Sequence, residues 1–96
     1  MKLIYEWNQH VIDISETEVL NDIEFSIKIL SPSHFEDMRS IEKIFESNHV
    51  ITDVLVYTYT NHEYRVILRN EYYGDFILQL MKYGLLTKVE WKKELP

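Results

Sequence analysis

The residues able to do chemistry in this chain are few and scattered. His10, His34, His49 and His62 are far apart, and each stands at or beside an expected turn or helix end. His34 and Asp37 are three apart, a spacing that puts both side chains on one helix face, but a metal centre needs further ligands that the neighbouring sequence does not supply. The twelve residues from Asp13 to Glu24 carry oxygen-bearing side chains at their first, third, fifth, ninth and twelfth positions, as a calcium loop requires. Glu18 stands sixth, where glycine makes the sharp turn, and strands are expected on both sides, so the segment reads as a solvated acidic connector. The only glycines are Gly74 and Gly84, so there is no phosphate-cradling loop, and no serine sits in a nucleophile-elbow context. The absence of cysteine removes thiolate nucleophiles, Cys-type zinc sites and disulfides. We expect neither enzymatic activity nor a cofactor or metal.

Aromatic side chains are the remaining candidates. Tyr57, Tyr59, Tyr64, Tyr72 and Tyr73 lie on or next to one expected hairpin, and aromatic sheet faces can stack RNA bases. Alternation argues against that use, because it sets Tyr57, Tyr59 and Tyr64 on the same side as Leu55, Val66 and Leu68, which is the natural core side.

Period and punctuation define the elements that must position these groups. Residues 1–14 read as a hairpin turning at Asn8-Gln9, with Leu3, Tyr5 and Trp7 sharing a face with His10, Ile12 and Ile14. Residues 15–22 read as a loop or one helical turn, with a capping box from Ser15 and Glu18. From Asp22 to Leu30 the alternation of Ile23, Phe25, Ile27 and Ile29 with Glu24, Ser26 and Lys28 predicts a strand. Pro32, with Ser33 as N-cap and Glu36 closing a capping box, predicts a helix to about Ser47 whose stripe is Phe35, Met38, Ile41, Ile44 and Phe45.

Two strands, 50–60 and 63–69, then flank Asn61-His62, and a two-residue turn would pair Leu55 with Leu68, Tyr57 with Val66 and Tyr59 with Tyr64. Asn70 is a natural N-cap for a second helix carrying Phe76, Ile77, Leu80 and Tyr83, with Gly84 as its C-cap and Leu85 just beyond. A last strand spans 85–93.

The order from residue 22 to 93 is βαββαβ. That matches the ferredoxin-like arrangement, with two helices on one face of an antiparallel sheet, here preceded by the hairpin of 1–14 in a single α+β domain over 1–96. The architecture hosts many unrelated functions and names none.

The reverse of the hairpin then presents Val54, Val56 and Ile67, rimmed by Arg65 and Arg69. An apolar centre with a charged rim suits a protein contact, with a partner protein or with a second copy of the chain. The net charge is -6, and residues 1–48 carry the whole excess, with ten acids against four bases. Such a field disfavours phosphate backbones and favours encounter with basic partners. No apolar run approaches membrane-spanning length and the first residues lack a signal-peptide pattern, so the expectation is a cytoplasmic protein with no membrane partner. The lack of alanine and the wealth of Ile, Asn and Tyr fit an AT-rich bacterial or phage genome. The function expected is that of a protein-binding accessory, inhibitor or immunity-type factor. The alternatives are an RNA or single-stranded DNA binder using the sheet tyrosines, and a small-ligand domain or enzyme whose pocket the sequence does not reveal.

Overall fold

The computed structural model describes residues 3–46 and 54–91. The chain is α+β, with strands β1 (Leu3–Glu6), β2 (Ile12–Val19) and β3 (Asp22–Ile29), helix α1 (Phe35–Glu46), strands β4 (Val54–Thr58) and β5 (Glu63–Arg69), helix α2 (Tyr73–Lys82) and strand β6 (Lys88–Trp91). His49 and the outer ends of the expected elements at 1–2, 47–53 and 92–96 lie outside the described residues. β2, β3, β5 and β4 form an antiparallel sheet in that order, while β1 and β6 pair antiparallel as a separate ribbon.

The core lies between the helices and the inner face of the four-stranded sheet. β3 contributes Ile23, Phe25, Ile27 and Ile29, β2 contributes Ile12 and Ile14, and β5 contributes Tyr64, Val66 and Leu68. α1 meets them with Met38, Ile41 and Phe45, and α2 with Tyr73, Phe76, Ile77 and Leu80. Phe25 sits at the centre, its ring centroid 4.9 Å from that of Phe76 and 6.0 Å from that of Tyr73. Aromatic pairs at such distances add ~0.5–1.5 kcal/mol each beyond burial.

Several local expectations hold. The β3 alternation is as read, and the helices bury Met38, Ile41 and Phe45 of the first predicted stripe and Phe76, Ile77 and Leu80 of the second, with Phe35, Ile44 and Tyr83 half-buried. Gly84 adopts φ +77° while its N–H donates to Met81 O and that of Leu85 donates to Leu80 O, the paired bonds of a glycine-terminated helix. The N-caps differ. Pro32–His34 and Asn70–Tyr72 form 3₁₀ turns ahead of the α-helices, so Ser33 and Asn70 sit inside those turns. The Ser33 hydroxyl meets that of Ser31, and Glu36 accepts from Arg39, so no capping box closes.

Three corrections concern the strands. First, Leu3–Glu6 do not pair with the residues after the turn in the hairpin expected of 1–14. Asn8 does turn the chain, accepting from the N–H of Val11 and of Ile12 on its carbonyl and from that of His10 on its side chain, but β1 pairs with β6, Leu3 opposite Trp91 and Tyr5 opposite Val89. Second, the acidic segment is no loop. It is β2, hairpinned onto β3 from Ile12↔Ile29 to Val19↔Asp22, and an extended strand strings Asp13, Ser15 and Thr17 out along one face at two-residue intervals instead of wrapping them around an ion as a calcium loop does. Third, β2 occupies the side of β3 that a ferredoxin-like order gives to the last strand. β3-α1-β4 with β5 between its strands is present, but β6 leaves this sheet.

The hairpin tip is the exception to local comfort. Leu20, 98% exposed, is held at φ +58°, where a branched side chain costs ~1–2 kcal/mol. Leu20→Gly should therefore raise the free energy of unfolding by about 0.5–1 kcal/mol in urea titration, after the entropic cost of glycine is subtracted. A loss of stability would show that the leucine side chain is held by contacts.

Candidate functional site

Among the described residues no helix lies on the outer face of the four-stranded sheet, and the composition of that face differs from expectation by one residue of register. β4 pairs with β5 as Val54↔Leu68, Leu55↔Ile67, Val56↔Val66, Tyr57↔Arg65 and Thr58↔Tyr64, which shifts the expected pairing by one and turns β4 over. Val54, 9% exposed, is thus a core residue and Val56 packs against the core. Neither is on the outer face, contrary to the sequence reading. Leu55 and Tyr57, expected inside, are 50% and 47% exposed. The β5 half stands as read, with Val66 and Leu68 buried and Arg65, Ile67 and Arg69 outward.

The loop explains the shift. Tyr59 N–H donates to Glu63 O, closing a three-residue connection through Thr60, Asn61 and His62, of which Asn61 and His62 both have positive φ. The His62 ring stacks on Phe35 at 3.4 Å between centroids, anchoring the loop to the start of α1. The extra loop residue inverts β4 relative to a two-residue turn.

The resulting outer face has two rows. One runs Thr17, Glu24, Ile67, Leu55, and the next Ser15, Ser26, Arg65, Tyr57. Arg65 donates from Nε to Glu24, and its guanidinium is held charged more firmly by that carboxylate and by a bond to Tyr59. Lys28 Nζ lies 3.7 Å from Glu63. Between the rows and the loop lies a polar basin of about 480 Å³, lined by Asp13, Ser26, Lys28, Tyr59, Glu63 and Arg65 among others. Arg65 and Lys28 are thus engaged with carboxylates of the same face, which leaves the face polar, charge-balanced across its middle, and apolar toward β4. Tyr64, the third tyrosine of the base-stacking set, is only 5% exposed, and burial first, then the charge of Glu42, raises its pKa.

A second constellation went unread in the sequence. Glu16 lies on the inner stripe of β2 after Ile12 and Ile14, and its Oε1 accepts from the hydroxyl of Tyr5 at 2.7 Å and from that of Tyr73 at 2.9 Å. Its Oε2 is buried with no hydrogen-bond partner among the described residues. One carboxylate thereby joins the main sheet, the β1–β6 ribbon and α2. Parity was the available signal, since residues 12, 14 and 16 share a face. Burial, and then the bond to Glu16, push both phenols well above the ordinary tyrosine range, so at neutral pH they are donors and not nucleophiles.

The described histidines do not assemble. His34 Nδ1 lies 2.9 Å from Asp37 Oδ2, as the spacing allowed, while His62 is engaged with Phe35. Among the described residues, no group of three or more His, Asp or Glu is placed to hold a metal ion. No protein-family model, curated protein or solved structure matches the chain.

Tyr5→Phe and Tyr73→Phe should each cost about 1 kcal/mol, as expected for a hydrogen bond to a charged or partly buried acceptor. In a double-mutant cycle their effects should not add, because they share one oxygen. The raised pKa values also fix a sign with pH. Below the ordinary tyrosine value of about 10 both states are protonated and the clamp contributes fully. Above it the unfolded chain releases protons that the fold retains, so stability falls as pH rises. Unfolding midpoints followed from neutral to alkaline pH should show this loss in the wild type and less of it in Tyr5→Phe.

Proposed function

We propose that this chain is a non-catalytic protein-binding domain that meets its partner through the outer face of the four-stranded sheet. The observation that carries the reading is the pair of exposed apolar residues Leu55 and Tyr57, set beside Ile67 and Arg65 on a face that no helix covers. An aromatic and an aliphatic residue bordered by an ion-paired arginine have the composition of an interface centre and its rim. The interface residues first expected, Val54, Val56, Ile67, Arg65 and Arg69, are replaced in this reading by Leu55, Tyr57, Ile67, Arg65 and Arg69. Asp13, Asp22 and Glu24 lie on the same face, so the acidity of the first half is expressed where a basic partner would arrive. The role is that of an accessory, inhibitor or immunity-type factor. The lack of cysteine suits a reducing compartment, and a cytoplasmic location belongs to the same proposal; among the described residues no helix is long and apolar enough to cross a membrane.

A second reading is favoured by one observation. Tyr57 and Tyr59 are both about half exposed and flank Arg65, a geometry on which single-stranded RNA bases stack. The acids on that face oppose it, since Arg65 is already neutralised by Glu24.

Leu55→Glu and Ile67→Glu should each abolish capture of the partner from native lysate while leaving the unfolding midpoint almost unchanged. Val56→Glu should instead destabilise the fold by roughly 2 kcal/mol or more, because it drives a carboxylate into the core. Capture by Leu55→Glu equal to wild type would remove the sheet face as the interface. Salt-dependent binding of a short single-stranded RNA, lost in Tyr57→Ala, would replace this reading by the second.

A further inference from the structure

On the helix side, away from the outer face of the sheet, α2 runs beside the β1–β6 ribbon and leaves an open groove of about 490 Å³, within the ~300–1,000 Å³ common for binding clefts. Its apolar lining is Leu3, Leu78, Met81, Val89 and Trp91. Leu78 is 58% and Trp91 64% exposed. Gly74, Leu78 and Met81 recur at helical spacing, forming a second stripe on α2 beside the one that fills the core. A glycine within a helix is less stable there than an alanine. Here it deepens the groove wall where any side chain would narrow it.

All three titratable residues of the lining are acids: Glu71, Asp75 and Glu90. Lys88 approaches Glu90 at 3.8 Å and shares that one charge, and Lys82 lies 6.0 Å from the ring of Tyr83. Glu71 and Asp75 also suit the positive end of α2, but that preference does not account for the uncovered apolar stripe between them and Trp91.

We propose that this groove binds a short amphipathic segment of another protein that carries lysine or arginine beside two or three large apolar anchors, with the anchors seated on Leu78, Met81 and Trp91 and the cations on Glu71, Asp75 and Glu90. An apolar helix face laid into a groove is an established mode of peptide recognition, and the acidic rim selects the basic version of such a peptide. A second copy of this chain is disfavoured at this groove, since it would bring two acidic rims together on molecules of net charge -6.

The test uses full-length chain with Trp7→Phe, so that Trp91 is the sole tryptophan reporter. The probe is a synthetic helical peptide with leucine at i, i+3, i+4 and i+7 and lysine elsewhere. Its counterpart has glutamate in place of lysine. The lysine peptide should shift Trp91 emission to shorter wavelength, bind more weakly as salt rises, and bind at least about tenfold more tightly than the glutamate peptide, a difference of ~1.4 kcal/mol. Leu78→Glu should abolish the shift. Gly74→Ala should raise the unfolding midpoint yet weaken the peptide, which a purely structural role for the glycine would not produce. Leu55→Glu should leave the titration unchanged, separating this groove from the sheet face. Equal affinity for the two peptides, no emission shift, or a shift that depends on protein concentration without peptide would overturn the proposal, the last by assigning the groove to self-association.

Discussion

The architecture depends on the β2–β3 ladder. Both β2 and β6 are candidates for the free side of β3, and β2 takes it because it follows from the adjacent segment through two residues, whereas β6 would have to return from the far end of the chain. The difference in loop-closure entropy is on the order of 3 kcal/mol. The β2 ladder also runs over eight residues, against the four of β6. A strained tip at Leu20 is tolerated because so much pairing follows from it.

The remainder follows from that exclusion. β6, denied the main sheet, pairs with β1, and the ribbon settles beside α2. The contact is completed by a carboxylate on β2, since Glu16 holds Tyr5 of the ribbon and Tyr73 of α2 on one oxygen. A half-buried carboxylate is costly unless it is hydrogen-bonded; the clamp satisfies Oε1 of Glu16, leaves Oε2 without a partner among the described residues, and ties the ribbon to the sheet and α2. The groove floored by Leu3, Val89 and Trp91 exists only because the ribbon lies there, and the outer face of the sheet is uncovered because both helices and the ribbon lie on its other side.

Two surfaces are therefore left open among the described residues, and they differ in character. The outer face of the sheet is flat, with its charges mostly paired and its apolar residues gathered at β4. The groove is concave and apolar at its floor, with carboxylates on its rim. Among the described residues, no group of three or more His, Asp or Glu is placed on either to hold a metal ion. The side chains that look most reactive serve structural ends: His62 anchors the β4–β5 loop on Phe35, His34 pairs with Asp37 on the first turn of α1, and the two clamp tyrosines are held protonated.

What the residues decided alone was local. The alternation of Ile23 to Ile29, the stripes of α1 and α2, and the Gly84 terminus were all legible because each depends on neighbours a few positions away. The inner β5 stripe and the outward Arg65, Ile67 and Arg69 were legible for the same reason. Strand partnership was not, because β1 and β2 both have the period of a ribbon and nothing in either states which strand lies opposite. Nor was the face of β4, where Val54 and Val56 on one side and Leu55 and Tyr57 on the other are equally apolar, so alternation permits both orientations. Only the three-residue loop, locked by a histidine stacked on a phenylalanine far earlier in the chain, chose between them, and with that choice it decided which side chains lie on the outer face of the sheet.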